Sequence, residues 1–390
     1  MKVLFYIDGV SNSVDNDVQR DVMMKLGNAL TEDISLEIVD TATIEPSKAH
    51  AIIEKQDYDI LFTYNRTATE IASPSKSGNL LKNIEKLHVC WLTEHPLTFY
   101  SNYFQSENNR HYIFTNESHA FFSESMGLKG SYSTQLFGSD PVKTIKSPKD
   151  RKYEMCIAAQ WRGPESANAF WKNSNKKTKD FFEAVIELQE SEENRDTFVA
   201  YMAAAKYYGF DISDTKLHAQ AMRGIYWYAR KKERIQLVKD AVSSGIKIIL
   251  IGGEAWKSVL DNTDNVIFLP ECSHQKLRSI YAESKSVVNL NAANGACERA
   301  FDCLAAGSML VSEDSQELKK LFENDEAGVF FKPNHAKDQM PKIKNLIRSG
   351  QWEEIASKGN AKFLADHTWK QRGQYLESIF MELHENTAVI

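Results

Sequence analysis

Short apolar runs alternate with helical stretches along almost the whole chain, and that alternation leaves few folds open. Residues 3–7, 36–39, 59–64, 89–93, 112–115 and 132–136 read as strands, because each is a brief run of Val, Ile, Leu, Phe, Tyr and Trp too short for a buried helix. Between them lie stretches with helical spacing, such as 18–30, where Val22, Leu26 and Leu30 share one face. Strands without a polar face, separated by helices, predict a parallel sheet covered on both sides. The pattern then starts again. Strands are expected at 153–159, 246–251, 266–269, 287–291, 309–312 and 328–331, with a long helical region over 167–244. Shorter helices are expected at 276–283, 296–306 (stopped by Gly307) and 318–322, and a final one at 369–383.

A chain of 390 residues exceeds one ordinary core. Two αβ runs meet around 138–150, a Ser-, Pro-, Lys- and Asp-rich stretch, so the expected class is α/β with two doubly wound domains. Their expected bounds are 1–145 and 150–366, the second with a helical insertion at about 165–230 and followed by a C-terminal helix over 367–390.

Composition removes several function classes. A net charge of -6 gives no general attraction to nucleic acid or anionic membrane, so no nucleic-acid partner is expected. Cys90, Cys156, Cys272, Cys297 and Cys303 are scattered and never spaced as CxxC, which argues against a disulfide framework or structural zinc and for a reducing, cytoplasmic location. The first apolar run meets Asp8 too soon for a signal peptide, and no later run is long enough to span a bilayer. No strand leads into GxGxxG and no GxxxxGK[ST] is present, which disfavours dehydrogenases and P-loop kinases.

In open parallel sheets ligands sit beyond the carboxyl ends of strands. The residues there are polar or glycine: Asp8-Gly9, Asn65-Arg66-Thr67, Glu94-His95-Pro96, Gln160 to Gly163, Gly252-Gly253-Glu254 and Asn291 to Gly295. The stretch from Asn289 to Gly307 is the most informative. Gly295 permits a tight turn and a helix opens directly after it, so free amides and a positive dipole end face whatever sits there. Glu298 and Asp302 share one face, and Arg299 stands beside them. Amides plus an arginine suit a diphosphate, and a carboxylate suits two neighbouring ribose hydroxyls. An ordinary capped helix with a surface Glu–Arg pair fits the same spacing.

Several of these motifs follow one family's order. Gly295, then Arg299-Ala-Phe301-Asp302-Cys-Leu304-Ala305-Ala-Gly307, then Asp314 and Leu318 to Phe322, resembles the C-terminal domain of the spore-maturation-type (CgeB-like) glycosyltransferases, which are allied to the group-1 transferases. His367-Thr368-Trp369 with Arg372 is similar to that family's closing motif. Trp91 to Pro96 and Phe137 to Pro141 are similar to motifs of its first domain. The resemblance implies a GT-B architecture, with two Rossmann-like domains facing a central cleft. One departure stands out: where many group-1 enzymes have a second glutamate eight positions before the helix acid, this chain has Asn294, so retaining chemistry does not carry over.

The resemblance implies a glycosyltransferase that takes a nucleotide-diphosphate sugar as donor and a glycan or protein as acceptor, with no metal required. The diphosphate is then expected at the amides of Asn294, Gly295, Ala296 and Cys297 with Glu298 and Arg299 beside them, and the ribose at Asp302. Arg162 and Arg234 are further phosphate candidates, and Gly252 and Gly253 are candidates for close backbone approach. The general base is expected in the first domain at Glu94 or His95, with Asp8 a weaker candidate. His367 is expected to cap or pack the last helix. Trp161 is read equally as a stacking platform or as core. The rivals are a sugar-nucleotide epimerase-like enzyme and a catalytically silent nucleotide-sugar-binding protein on the same fold.

Overall fold

The computed structural model describes residues 1–7, 14–65, 84–99, 109–128, 130–161, 169–190, 196–290, 296–322, 327–332 and 335–388. The chain forms two compact units, Met1–Gly138 with His367–Ile390, and Ser139–Asp366. The first unit therefore ends at Gly138, short of the expected 145, and it takes in the C-terminal segment.

In the first unit the strands are β1 (Lys2–Ile7), β2 (Ser35–Asp40), β3 (Ile60–Tyr64), β4 (Leu87–Leu92), β5 (Arg110–Phe114) and β6 (Ser131–Thr134). They pair in the order β2-β1-β3-β4-β5-β6, every pair parallel. Helices α1 (Val14–Asn28), α2 (Pro46–Lys55), α3 (Glu117–Ser125) and α12 (Trp369–Ala388) belong to the same unit. Val3, Leu4, Phe5, Leu61 and Phe62 are inaccessible to solvent, as strands covered on both faces must be.

The C-terminal helix α12 is part of this core. Phe380 packs on Phe62 with ring centroids 5.5 Å apart, and Phe62 packs on Phe5 at 4.7 Å. At Gly373 an added Cβ would lie 2.4 Å from Ala29 Cβ, so the glycine lets α12 press against the end of α1. Glu377 then accepts from the Thr31 amide at 2.9 Å.

A buried polar network runs through β3, β4, β5 and β6. His88 Nε2 bonds Thr63 Oγ1 at 2.8 Å and its Nδ1 meets Arg110. His111 bonds Ser131 Oγ at 2.8 Å and Ser133 Oγ at 2.9 Å. Burial and the Arg110 charge hold His88 well below the ordinary imidazole range, and burial pushes His111 down to about 4.

In the second unit the strands are β7 (Tyr153–Ala158), β8 (Ile248–Ile251), β9 (Val266–Leu269), β10 (Ser284–Asn289), β11 (Met309–Glu313) and β12 (Gly328–Phe331), again all parallel, in the order β12-β11-β10-β7-β8-β9. Between β7 and β8 the expected helical insertion appears as three helices, α4 (Lys176–Glu190), α5 (Thr197–Tyr208) and α6 (Thr215–Ser243). Gly209, at φ 63, ends α5 in a left-handed cap. The other helices are α7 (His274–Ala282), α8 (Glu298–Ala305), α9 (Gln316–Leu321), α10 (Ala336–Ser349) and α11 (Trp352–Asp366).

The strand order locates the crevice. From β7 the chain winds outward through β8 and β9, then returns to place β10 on the other side of β7. The reversal falls between β7 and β10, and in such sheets a ligand sits just beyond the carboxyl ends of those two strands. Among the described residues no helix is long and apolar enough to cross a membrane.

Two outcomes follow. Phe380→Ala should lower unfolding stability by about 3–5 kcal/mol, read by chemical denaturation, because the side chain is wholly buried. An unchanged midpoint would detach α12 from the core. Secondly, the unfolded chain protonates His111 near its ordinary value of 6.5, whereas the folded one resists until about 4. Stability should therefore fall as pH drops through that window, by on the order of 3 kcal/mol for this group alone. His111→Asn should flatten the profile, and an equal slope in the variant would contradict the assignment.

Candidate functional site

Helix α8 starts beside the carboxyl end of β10, at the reversal point. Its apolar face, Ala300, Phe301, Cys303 and Leu304, is fully buried. Gly307, at φ 64, closes its far end: the Ser308 amide bonds Cys303 O at 3.1 Å and the Gly307 amide bonds Leu304 O at 3.0 Å. The remaining carbonyls are taken by buried cation and amide groups. Arg151 donates to Ala306 O at 3.0 Å and Gly307 O at 2.7 Å, and also to Ser284 O and Ser308 Oγ. Asn360 Nδ2 donates to Leu304 O at 2.8 Å. A cation at the negative helix end is favourable.

The amino end differs. Cys297 stands at the N-cap without a side-chain cap in strict geometry, its thiol facing the Arg299 and Ala300 amides. The thiol donates to Asn289 Oδ1 at 3.0 Å, and Asn289 Nδ2 donates to Ser312 Oγ at 3.1 Å. Among the described residues no oxygen-bearing side chain caps the first-turn amides of Glu298 and Arg299, at the positive pole of the helix.

Arg299 sits in that first turn, half-buried. Its Nε and Nη1 are buried, and neither has a hydrogen-bond partner among the described residues. Tyr281 lies beside it, fully buried, its hydroxyl likewise without a bond in normal geometry; burial holds that hydroxyl well above the usual phenol range. Unsatisfied N–H groups on a permanent cation are costly, about 1–3 kcal/mol each or more, unless an anion completes them.

Asp302 is held in a buried polar network. Only 3% of it is exposed, and both carboxylate oxygens are engaged. Oδ1 accepts from Ser139 Oγ at 2.5 Å and faces Arg278 Nε at 3.2 Å. Oδ2 meets His274 Nε2 at 2.7 Å. Arg278 also donates to the Asp140 carbonyl at 2.6 Å, which ties the start of the second unit to α7. Glu298, one turn earlier, is more open, and its Oε1 lies 3.4 Å from His274 Nε2. His274 and Arg278 were not singled out from the sequence. The available signal was their i,i+4 spacing directly after Ser273, whose hydroxyl caps α7 at the Lys276 amide.

The other expected site residues distribute as follows. Arg162, Asn294 and Gly295 lie outside the described residues, as does Asp8. Ala296 is buried and Cys297 half-buried, both at the mouth of α8. Arg234 is half-buried in α6. Gly252 and Gly253 direct their amides to Leu269 O, at 3.0 and 2.9 Å, so those amides are engaged within the sheet. Gly252, at φ 146, is required because an added Cβ would lie 1.8 Å from Ala159 O. Trp161 packs on Trp256 at 5.0 Å between centroids, on the core side, and Trp256 donates to Ala159 O.

In the first unit, Glu94 and His95 follow β4. His95 is almost wholly buried, its ring against His119 at 4.7 Å and Phe122 at 5.3 Å. Its Nδ1 accepts from the Leu97 amide at 3.1 Å, so the neutral ring carries its proton on Nε2. A ring in that state holds a turn and has no free lone pair for a substrate proton. Glu94 is half-buried at the strand end. Next to it Asn65, a non-glycine at φ 52, exchanges bonds with Thr93: Oδ1 accepts from its amide and Nδ2 donates to its hydroxyl, both at 2.8 Å. His367 bonds Arg372, whose Nε donates to Phe137 O, so it anchors the start of α12.

Residues 230–378 match the family described as "Glycosyl transferase-like". No curated protein matches the chain in sequence. Among solved structures, sucrose-phosphate synthase from Thermosynechococcus elongatus is 10% identical, with a TM-score of 0.57 over 99% of this chain and 100% of that one. Anabaena HepE, solved with UDP and glucose, is 11% identical, with a TM-score of 0.54 over 98% and 100%. The T4 phage enzyme BGT, solved with its UDP-glucose substrate, is 9% identical, with a TM-score of 0.53 over 98% and 99%. The chain has the GT-B glycosyltransferase fold.

Asp302→Ala should lower unfolding stability by about 3–5 kcal/mol, since it strands Arg278, Ser139 and His274 without their shared anion. A loss below about 1 kcal/mol in urea denaturation would show the network to be incidental.

Proposed function

We propose that the protein is a nucleotide-sugar-dependent glycosyltransferase whose second unit holds the donor diphosphate at the amino end of α8. The observation that carries this reading is Arg299: a cation beside the Tyr281 hydroxyl whose Nε and Nη1 are buried with no partner in good geometry among the described residues, in the first turn of α8, at the reversal point of the sheet. A diphosphate completes these donors, and it becomes the leaving group when the sugar departs. Charge that grows on its oxygens during transfer is met by the helix amides and the guanidinium, already in place. Asp302 keeps α7 and α8 in register beneath this turn, a positioning role in place of the expected ribose contact.

The acceptor, a glycan or a protein side chain, falls to the first unit in this reading. Of the two expected bases, Glu94 is half-buried at the strand end and His95 is almost wholly buried with its Nδ1 on the Leu97 amide, so Glu94 is the proposed proton acceptor. The clamp from Asn65 to Thr93 fixes the backbone just before it. The five cysteines, all free thiols, support a reducing, cytoplasmic setting.

HepE and the T4 enzyme were solved with UDP or UDP-glucose, so UDP is the first nucleotide to try. By calorimetry, Arg299→Ala should weaken UDP binding at least tenfold, about 1.4 kcal/mol, with the fold intact. Equal affinity in the variant would remove α8 from the donor site. Glu94→Gln should slow acceptor-dependent UDP release from UDP-glucose by about 100-fold while leaving UDP affinity unchanged. Full turnover in that variant would place the base elsewhere.

A further inference from the structure

We propose that His274, Glu298 and Asp302 form a divalent-cation site. The His274 imidazole nitrogen and one oxygen from each carboxylate all lie within 4.8 Å of one another. His274 Nε2 stands 2.7 Å from Asp302 Oδ2 and 3.4 Å from Glu298 Oε1. Donors around an ion with bonds of about 2.1 Å are spaced about 3 Å apart, so small side-chain rotations bring all three into range. Glu298 and Asp302 are placed by the helix, four residues apart on one face of α8, and His274 comes from the first turn of α7.

The surroundings resemble the outer shell of a metal site. Asp302 presents Oδ2 to the cluster, while Oδ1 is held from behind by Ser139 and Arg278. Asp302 is buried, with 4% of its side chain exposed, and Glu298 is the most open of the three at 22%. Three protein ligands with one edge toward solvent leave coordination positions for water or a phosphate oxygen. Two forces act against a cation: Arg278, and the positive amino ends of α7 and α8. They oppose two full carboxylate charges, so the ion is expected to exchange with solvent instead of being permanently held. An imidazole ligand favours Mn2+ or Zn2+ over Mg2+ or Ca2+.

The proposal departs from the expectation, implied by the resemblance, that no metal is required. Its cation would lie beside the turn that carries Arg299, where it can share the charge of the donor diphosphate. That role rests on the function proposed above; ion binding itself does not.

The test is a titration of the ion-stripped full chain with MnCl2, following free Mn2+ by electron paramagnetic resonance, with no nucleotide present. One saturable ion per chain is expected, displaced by Zn2+, with affinity reduced at least tenfold in both Glu298→Gln and His274→Ala. Circular dichroism would confirm that both variants are folded. No saturable binding to the wild type, or equal binding in the two variants, would overturn the proposal. UDP titration of the same ion-stripped protein reads the Arg299 site separately, so failure of one reading is distinguishable from failure of the other.

Discussion

The grip of Arg151 on the carboxyl end of α8 is the interaction from which the second unit's chemistry follows. A buried guanidinium that satisfies Ala306 O, Gly307 O and Ser284 O fixes one end of a short helix against the sheet. Asn360 and the left-handed Gly307 complete that end. An eight-residue helix held this firmly at its negative pole cannot drift, so its positive pole keeps a set position beside β10. The donors gathered there need a negative partner. That requirement, more than any single motif, gives the site its chemistry.

Asp302 shows how one side chain can carry contacts that its sequence context does not reveal. Its place in the helix is where related sequence patterns put an acid against a nucleotide. Here Ser139, Arg278 and His274 surround it, and it works as the anion that joins α7, α8 and the beginning of the unit. The more open of the two acids is Glu298, itself half-buried. In the proposed reading, removing charge from the buried acid perturbs the fold, whereas a change at Arg299 acts on what binds.

Much of the fold was legible in the sequence. Most of the described strands lie where short apolar runs stand between helices, because a parallel strand buried on both faces has no other pattern; the edge strands β6 and β9 are only partly buried. The two units follow from the same repetition. The placement of the C-terminal helix was not legible: its aromatic Phe380 and small Gly373 fit either unit until Phe62 and Ala29 are seen opposite them. Of site residues the sequence says less, for a physical reason. Position after a strand says that a group is near the crevice, yet not whether its atoms are already engaged. Gly252 is needed for a close approach, but the approaching group is Ala159; Gly253 meets nothing and is set apart only by its φ of 91, and both amides close on Leu269. His95 likewise satisfies its own turn. His274 and Arg278 escaped notice because their importance comes from Asp302, twenty-odd residues away in sequence and adjacent only after folding.

The central claim is that a nucleotide's diphosphate completes the amino end of α8. A crystal structure of the protein with UDP tests it most directly. Diphosphate oxygens within hydrogen-bond reach of the Arg299 guanidinium and the Glu298 and Arg299 amides are the predicted result. UDP seated in another crevice, with Arg299 still lacking a partner, would contradict the account.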